Sequence, residues 1–182
     1  MLTSDGEYIA DNYVLCLGAN SYEIAKGIGL SADILPVRGF SATIKLTSKE
    51  NNIKQGIEDG GNFLALNKLG ERLRISCNAE FLSDEIKSEN FNPSTMISSA
   101  KNNFKCNINN KIDIHQAFRP MSPSTVPLIG KTKINNLFFN TGHGHLGWTF
   151  SFGSAKLIVD YINKVPHPLL KEISSIHNLI GD

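Results

Sequence analysis

Apolar positions along this chain follow two rhythms: short runs and alternations through the middle, and a three-or-four spacing towards the C-terminus. Leu137, Phe138 and Phe139 make a run of the kind that fills a buried strand. Glycines follow at Gly142, Gly144 and Gly147. Trp148, Phe152, Ala155, Val159 and Ile162 then recur three or four apart, which predicts a helix with an apolar stripe. Phe150, Leu157, Ile158 and Tyr161 form a second apolar flank, so this helix is expected to be buried on more than one side. A strand, a glycine turn and a helix in succession aim backbone N–H groups and the positive end of a helix dipole at whatever lies in front.

The same reading organises the rest. Asp5-Gly6 is a turn signal between two strands. Tyr13 to Leu17 reads as a buried strand ending at Gly18, and Ser21 as the N-cap of a short helix through Ile28, closed by Gly29. Ile34 to Leu46 alternates, with Phe40, Ala42, Ile44 and Leu46 on one face; Arg38-Gly39 marks either a bulge or a purely structural glycine. Residues 47–61 read as a polar loop. Phe63 to Leu66 and Leu73 to Cys77 form a hairpin across residues 68–71, and 78–91 a polar connection. Asn92-Pro93 opens a helix carrying Met96, Ile97, Ala100 and Phe104. Ile112 to Phe118 is a strand, and 119–133 a proline-punctuated loop. Leu169, Ile173, Ile176 and Ile180 space a terminal helix that docks on its own domain or on a partner. The expected fold class is α+β: a mixed, largely antiparallel sheet with helices on one side.

Composition narrows this only slightly. The 182 residues hold 18 basic and 17 acidic side chains, which gives no electrostatic case for nucleic acid or an anionic membrane. Length favours one domain with a small appendage. Cys16, Cys77 and Cys106 form no C-x-x-C pair, as expected in a reducing compartment. No apolar run approaches the ~18 residues of a membrane span, so no transmembrane segment and a soluble, cytoplasmic chain are expected.

Gly142 to Gly147 formally satisfies G-x-G-x-x-G. A dinucleotide fingerprint also needs a second parallel strand and an acidic residue about twenty positions on. Here the helix runs into Pro166-His167-Pro168 instead. What remains is an electron-rich group at a helix N-terminus. His143 and His145 lack further ligands at recognisable spacing, so packing or hydrogen bonding to a ligand is preferred over metal. Arg119 precedes a loop stiffened by Pro120, Pro123 and Pro127; its planar fork suits a carboxylate, or it is structural. No G-x-S-x-G elbow and no phosphate loop occurs.

Three blocks, Phe118 to Pro123, Pro127 to Gly130 and Asn140 to Thr149, resemble the C-terminal part of the D-amino acid dehydrogenases. These belong to the FAD-dependent D-amino acid oxidase superfamily. Tyr13 to Gly18 is similar to the last strand of that family's FAD-binding domain, and Pro36 to Ser41 to the entry into its substrate domain. The resemblance implies a remnant of the FAD-binding domain at 1–33, a substrate domain at 34–133, a flavin-contacting strand, turn and helix at 134–163, and a tail helix at 164–182. It implies Arg119 as the substrate-carboxylate ligand. Gly18, Gly142, His143, Gly144, His145, Leu146, Gly147, Trp148 and Thr149 are implied as FAD contacts. The implied reaction is oxidative deamination of D-amino acids to 2-oxo acids and ammonia, by hydride transfer from Cα to FAD. The family's N-terminal G-x-G-x-x-G half does not occur in this sequence. The expectation is therefore a C-terminal fragment from a truncated or split gene, or a subunit whose other half is encoded separately, that alone holds FAD weakly or not at all. In the complete enzyme it would lie in the cytoplasm or against the inner face of the membrane. The alternative is a non-catalytic remnant or interaction module of the same family.

Overall fold

The structure is a computed structural model that describes residues 1–46, 55–61, 63–81, 93–104 and 112–177. It divides into two compact units, Val37–Phe118 and a discontinuous one made of Met1–Pro36 with Arg119–Asp182, where length alone favours a single domain.

The Val37–Phe118 unit is built on a five-stranded sheet. Its strands are β4 (Leu35–Lys45), β5 (Ile57–Asp59), β6 (Leu64–Leu69), β7 (Arg72–Phe81) and β8 (Ile112–Met121), in the order β5-β6-β7-β4-β8. The pairs β5/β6, β6/β7 and β7/β4 are antiparallel. Register follows directly from alternation, because a one-residue slip would turn every apolar side chain to the other face. Leu64, Cys77 and Phe40 align in one row, Leu66, Ile75 and Ala42 in the next, and Leu73 lies opposite Ile44. All eight are buried, and Met96 of the helix α2 (Pro93–Phe104) completes their cluster. The register shifts between Arg38 and Phe40, so the pairing is interrupted at Gly39 by a bulge or similar irregularity. Arg38 there pairs with Glu80 at 2.7 Å.

In the discontinuous unit, β1 (Leu2–Thr3) and β2 (Gly6–Glu7) pair across Asp5-Gly6, as the turn signal predicts. A three-stranded sheet follows, in the order β3 (Tyr13–Leu15), β10 (Leu137–Thr141), β9 (Leu128–Lys131). The β3/β10 pair is parallel and the β10/β9 pair antiparallel, so the sheets taken together are mixed. On this sheet lie α1 (Ser21–Gly27), α3 (Gly147–Ile162) and α4 (Pro168–Ile176). Ala25, Ala32, Ile34, Leu128 and Phe139 form one core cluster. Ile129, Phe138, Ile158, Leu170 and Ile173 form another, in which Phe138 and Tyr161 meet edge to face at 6.0 Å.

Several expectations are corrected. The helix stripe Trp148, Phe152, Ala155, Val159 is the exposed side of α3. The helix buries Ile158, with Leu157 and Tyr161 half-buried beside it. With apolar residues on two flanks, periodicity cannot choose which one meets the sheet. Strand β3 ends at Leu15 and is only half-buried, because among the described residues it pairs with β10 on one edge alone. Ser21 is the first residue of α1 rather than its cap; Asn20 takes the cap position, with no side-chain cap bond. Residues 57–59, 78–81 and 119–121 are strand, and so are 128–131, where loop was expected. The tail helix docks on its own unit, but through Leu170 and Ile173, leaving Leu169 and Ile176 exposed. Residues 47–54, 82–92, Ala100 and Phe104 as side chains, and Ile180 lie outside the described residues. Among the described residues no helix is long and apolar enough to cross a membrane.

Candidate functional site

The expected strand, glycine turn and helix are all present. Strand β10 delivers Thr141 into a turn in which Gly142 has φ +78° and Gly144 φ +58°, left-handed values that glycine adopts at little cost. A single 3-10 turn, Gly144–Leu146, runs directly into α3. The start of α3 has no side-chain cap and no acidic residue in its first turn. The 3-10 turn and α3 together point their N-terminal end, and the positive end of the helix dipole, at the glycine turn.

Two segments brace this turn. The end of β8 reaches it through a bridge between Met121 and His143, and a side chain at Gly144 would meet Met121 Sδ at 2.9 Å. Arg119 lies two residues earlier on the same strand, half-buried. The second brace comes from the N-terminal segment. Gly18, at φ +57°, approaches Pro120, and its carbonyl accepts a 3.2 Å hydrogen bond from Thr141 Oγ1. Thr141 Oγ1 also lies 3.0 Å from Ser21 Oγ, which accepts from the Leu17 N–H at 3.1 Å. Thr141 and Ser21 are 1% and 0% exposed. Buried hydroxyls without partners are costly, and these two satisfy each other. Replacing Thr141 by valine removes both bonds at near-constant volume. The expected loss is about 1–3 kcal/mol, read as a lower urea midpoint with an unchanged m-value.

His143 Nε2 and Asn140 Oδ1 are buried and have no hydrogen-bond partner among the described residues. Such orphans mark a place where another group belongs. Burial holds the His143 pKa below its ordinary 6.5. Below pH 6.5 the unfolded chain therefore binds a proton that the folded one resists, and stability falls with pH. Above 6.5 the contribution is constant. Denaturant titrations at pH 7.5 and 5 should show that drop, and His143→Gln should flatten it.

The structure thus gathers Gly18, Pro120, Met121, Thr141, Gly142, His143 and Gly144 in one unit. His145, Leu146, Trp148 and Thr149 follow on the turn but are exposed, Trp148 at 93%. Sequence reasoning gave Thr141 and Met121 no role and mistook that of Ser21. The available signal was a hydroxyl closing a strand that opens on the apolar run Leu137 to Phe139. Among the described residues no three His, Cys, Asp or Glu side chains are grouped to hold a metal.

The sequence pattern of the family described as FAD dependent oxidoreductase matches residues 2–161. A D-amino acid dehydrogenase of Granulibacter bethesdensis is 36% identical over 166 residues, covering 88% of this chain and 39% of its own length. That of Vibrio atlanticus is 32% identical over 179 residues, covering 98% and 43%. This chain thus spans about two fifths of the curated relatives it matches. Among solved structures, glycine oxidase from Geobacillus kaustophilus superposes with a TM-score of 0.76 at 18% identity, over 92% of this chain and 45% of that one. L-amino acid deaminase from Proteus vulgaris gives 0.75 at 17%, over 92% and 42%. With the glycine turn, the braced helix start and the pattern match all in one stretch, the chain belongs to the family of FAD-dependent oxidoreductases.

Proposed function

We propose that this chain is the C-terminal part of an FAD-dependent D-amino acid dehydrogenase, catalysing oxidative deamination of D-amino acids to 2-oxo acids and ammonia. The observation that carries the reading is the uncapped start of α3 beside an orphaned, buried His143 Nε2. These residues fit a planar, electron-rich ring: an imidazole whose burial favours the neutral form, a helix start that presents positive potential, and glycines through which backbone can approach. Gly142, His143, Gly144, His145, Leu146, Gly147, Trp148 and Thr149 would hold the ring and Gly18 would flank it. FAD, when bound, takes up the two electrons removed from the substrate.

The chain's own residues have simpler tasks. Arg119 binds the amino-acid carboxylate through its guanidinium fork, which fixes Cα relative to the turn. The start of α3 supplies a fixed positive potential, worth about half a charge, where negative charge accumulates. His143, neutral by burial, offers a hydrogen bond without adding charge. The substrate loses two electrons with its Cα and nitrogen hydrogens, and water then splits the resulting imine. Residues 1–33 and 134–163 would serve the flavin domain and 34–133 the substrate domain, with 164–182 as a tail helix. A separately encoded N-terminal half is the proposed partner, and the cytoplasm the proposed compartment.

The test joins this chain to the part of the Vibrio atlanticus relative that it does not match, and supplies FAD. Dye reduction dependent on D-alanine, releasing 2-oxo acid and ammonia in equal amounts, is expected. A flavin-loaded assembly that turns over no D-amino acid would sink the reading.

A further inference from the structure

The end of β8 meets the glycine turn through a sulfur atom. A side chain built on Gly144 would meet Met121 Sδ at 2.9 Å and its Cε at 3.5 Å. The thioether therefore fills the room that a side chain at position 144 would need. The two backbones are joined as well, by the antiparallel bridge between Met121 and His143. His143 in turn closes the 3-10 turn before α3, where its carbonyl accepts from the Leu146 N–H at 3.1 Å. Sulfur, bridge and turn are thus consecutive contacts.

The sequence holds three methionines, and their surroundings differ. Met96 is 4% exposed, inside the core of the Val37–Phe118 unit. Met1 is 63% exposed at the start of the chain. Met121 is half-buried, within reach of a small oxidant, and its sulfur packs on the turn. A hydroperoxide would transfer one oxygen atom to it. The sulfur lone pair attacks the peroxide, an S=O bond forms as O–O breaks, and the leaving oxygen keeps the proton and departs as water or an alcohol. Sulfur is oxidised by two electrons and the peroxide reduced by two. The resulting side chain is polar and chiral at sulfur. Its new oxygen finds backbone on the Gly144 side, and burying it without a donor is costly.

We infer that Met121 is a reversible oxidation site for hydroperoxides, and that its sulfoxide opens the turn from Gly142 to Leu146. The closed turn needs a bare thioether against Gly144. The sulfoxide pushes the turn off the end of β8, which strains the Met121–His143 bridge and loosens the hydrogen bond from Leu146 to His143. The inference goes beyond the proposed function and does not depend on it, because it concerns the turn itself and not the group in front of it.

The experiment treats the full chain with dilute hydrogen peroxide, then with dithiothreitol to restore reversibly oxidised cysteines; the sulfoxide needs its own reductase. Peptide mass spectrometry should find Met121 oxidised about tenfold or more faster than Met96. Hydrogen exchange at the Leu146 amide, followed by NMR, should then accelerate by roughly tenfold or more. Amides of the β9–β10 ladder should exchange as before. Methionine sulfoxide reductases for both sulfoxide epimers should restore slow exchange in the parent protein, a readout that needs no variant. Met121→Leu, a volume-conserving change, should keep the Leu146 amide slow with or without peroxide. Met121 left unoxidised under conditions that convert Met1 would remove the site. Oxidised Met121 with Leu146 exchanging as before would mean that the side chain swings clear, and would overturn the opening of the turn. Exchange that stays fast after reduction would make the change damage and not a switch. Acceleration that persists in Met121→Leu, or spreads through the β9–β10 ladder, would trace to another group or to general unfolding and overturn the proposal.

Discussion

Arg119→Ala in the reconstituted oxidoreductase should raise the KM for a D-amino acid by about 30- to 1,000-fold. That corresponds to roughly 2–4 kcal/mol for a lost charge-assisted fork. The proposed role predicts a split between the constants. The carboxylate is gripped alike in the ground and transition states, so kcat should move far less than KM. Arg119→Lys restores the charge without the fork and should recover part of the loss. Steady-state kinetics on the three proteins, with flavin content matched by absorbance, decides the matter. An unchanged KM for the alanine variant would remove Arg119 from the substrate site and leave it a structural residue on β8.

Phe139→Ala should cost about 3–5 kcal/mol, the usual range for emptying a buried phenylalanine site. Phe139 is 1% exposed and sits in the middle strand of the three-stranded sheet, among Ala25, Ala32, Ile34 and Leu128. Its backbone faces Leu15 on one side and Gly130 on the other. Losing the ring unfastens α1 and β3 together and, through Ser21 and Thr141, the turn at Gly142. Against a whole-domain stability of about 5–15 kcal/mol, the discontinuous unit should melt well before the Val37–Phe118 unit. Differential scanning calorimetry should show one early transition. An Ile75→Val control in the other unit should lose only about 0.5–1.5 kcal/mol. A Phe139→Ala protein melting within a degree of the parent would mean that the site collapses without a cavity.

Legibility in the sequence tracked how many solutions each local pattern allowed. The rows through Phe40, Ala42 and Ile44 were readable because alternation admits one inward face, and the β6–β7 hairpin because Gly70 marks its turn. The glycine turn before α3 was readable because several glycines in six residues have few uses in a packed core. The orientation of α3 was not, since both flanks are apolar and only the sheet distinguishes them. Strand β9 was hidden by the prolines before it. Nothing local shows that Leu128 to Lys131 will find an antiparallel partner in β10. The Ser21–Thr141 contact was out of reach for a related reason, since its partners are 120 residues apart.

That separation also bears on how the protein is made. At a translation rate of about 5–20 residues per second, roughly 6–24 s pass between the emergence of Ser21 and of Thr141, which lie 120 residues apart. During that interval the β3 segment waits without β10, while the whole of Val37–Phe118 leaves the ribosome and can fold. Closing so long a loop from a disordered middle is slow; closing it around a folded insert shortens the effective span. Slow-codon or temperature-sensitive lesions in the insert should therefore surface as proteolysis of the N-terminal thirty-six residues, far from where the lesion lies.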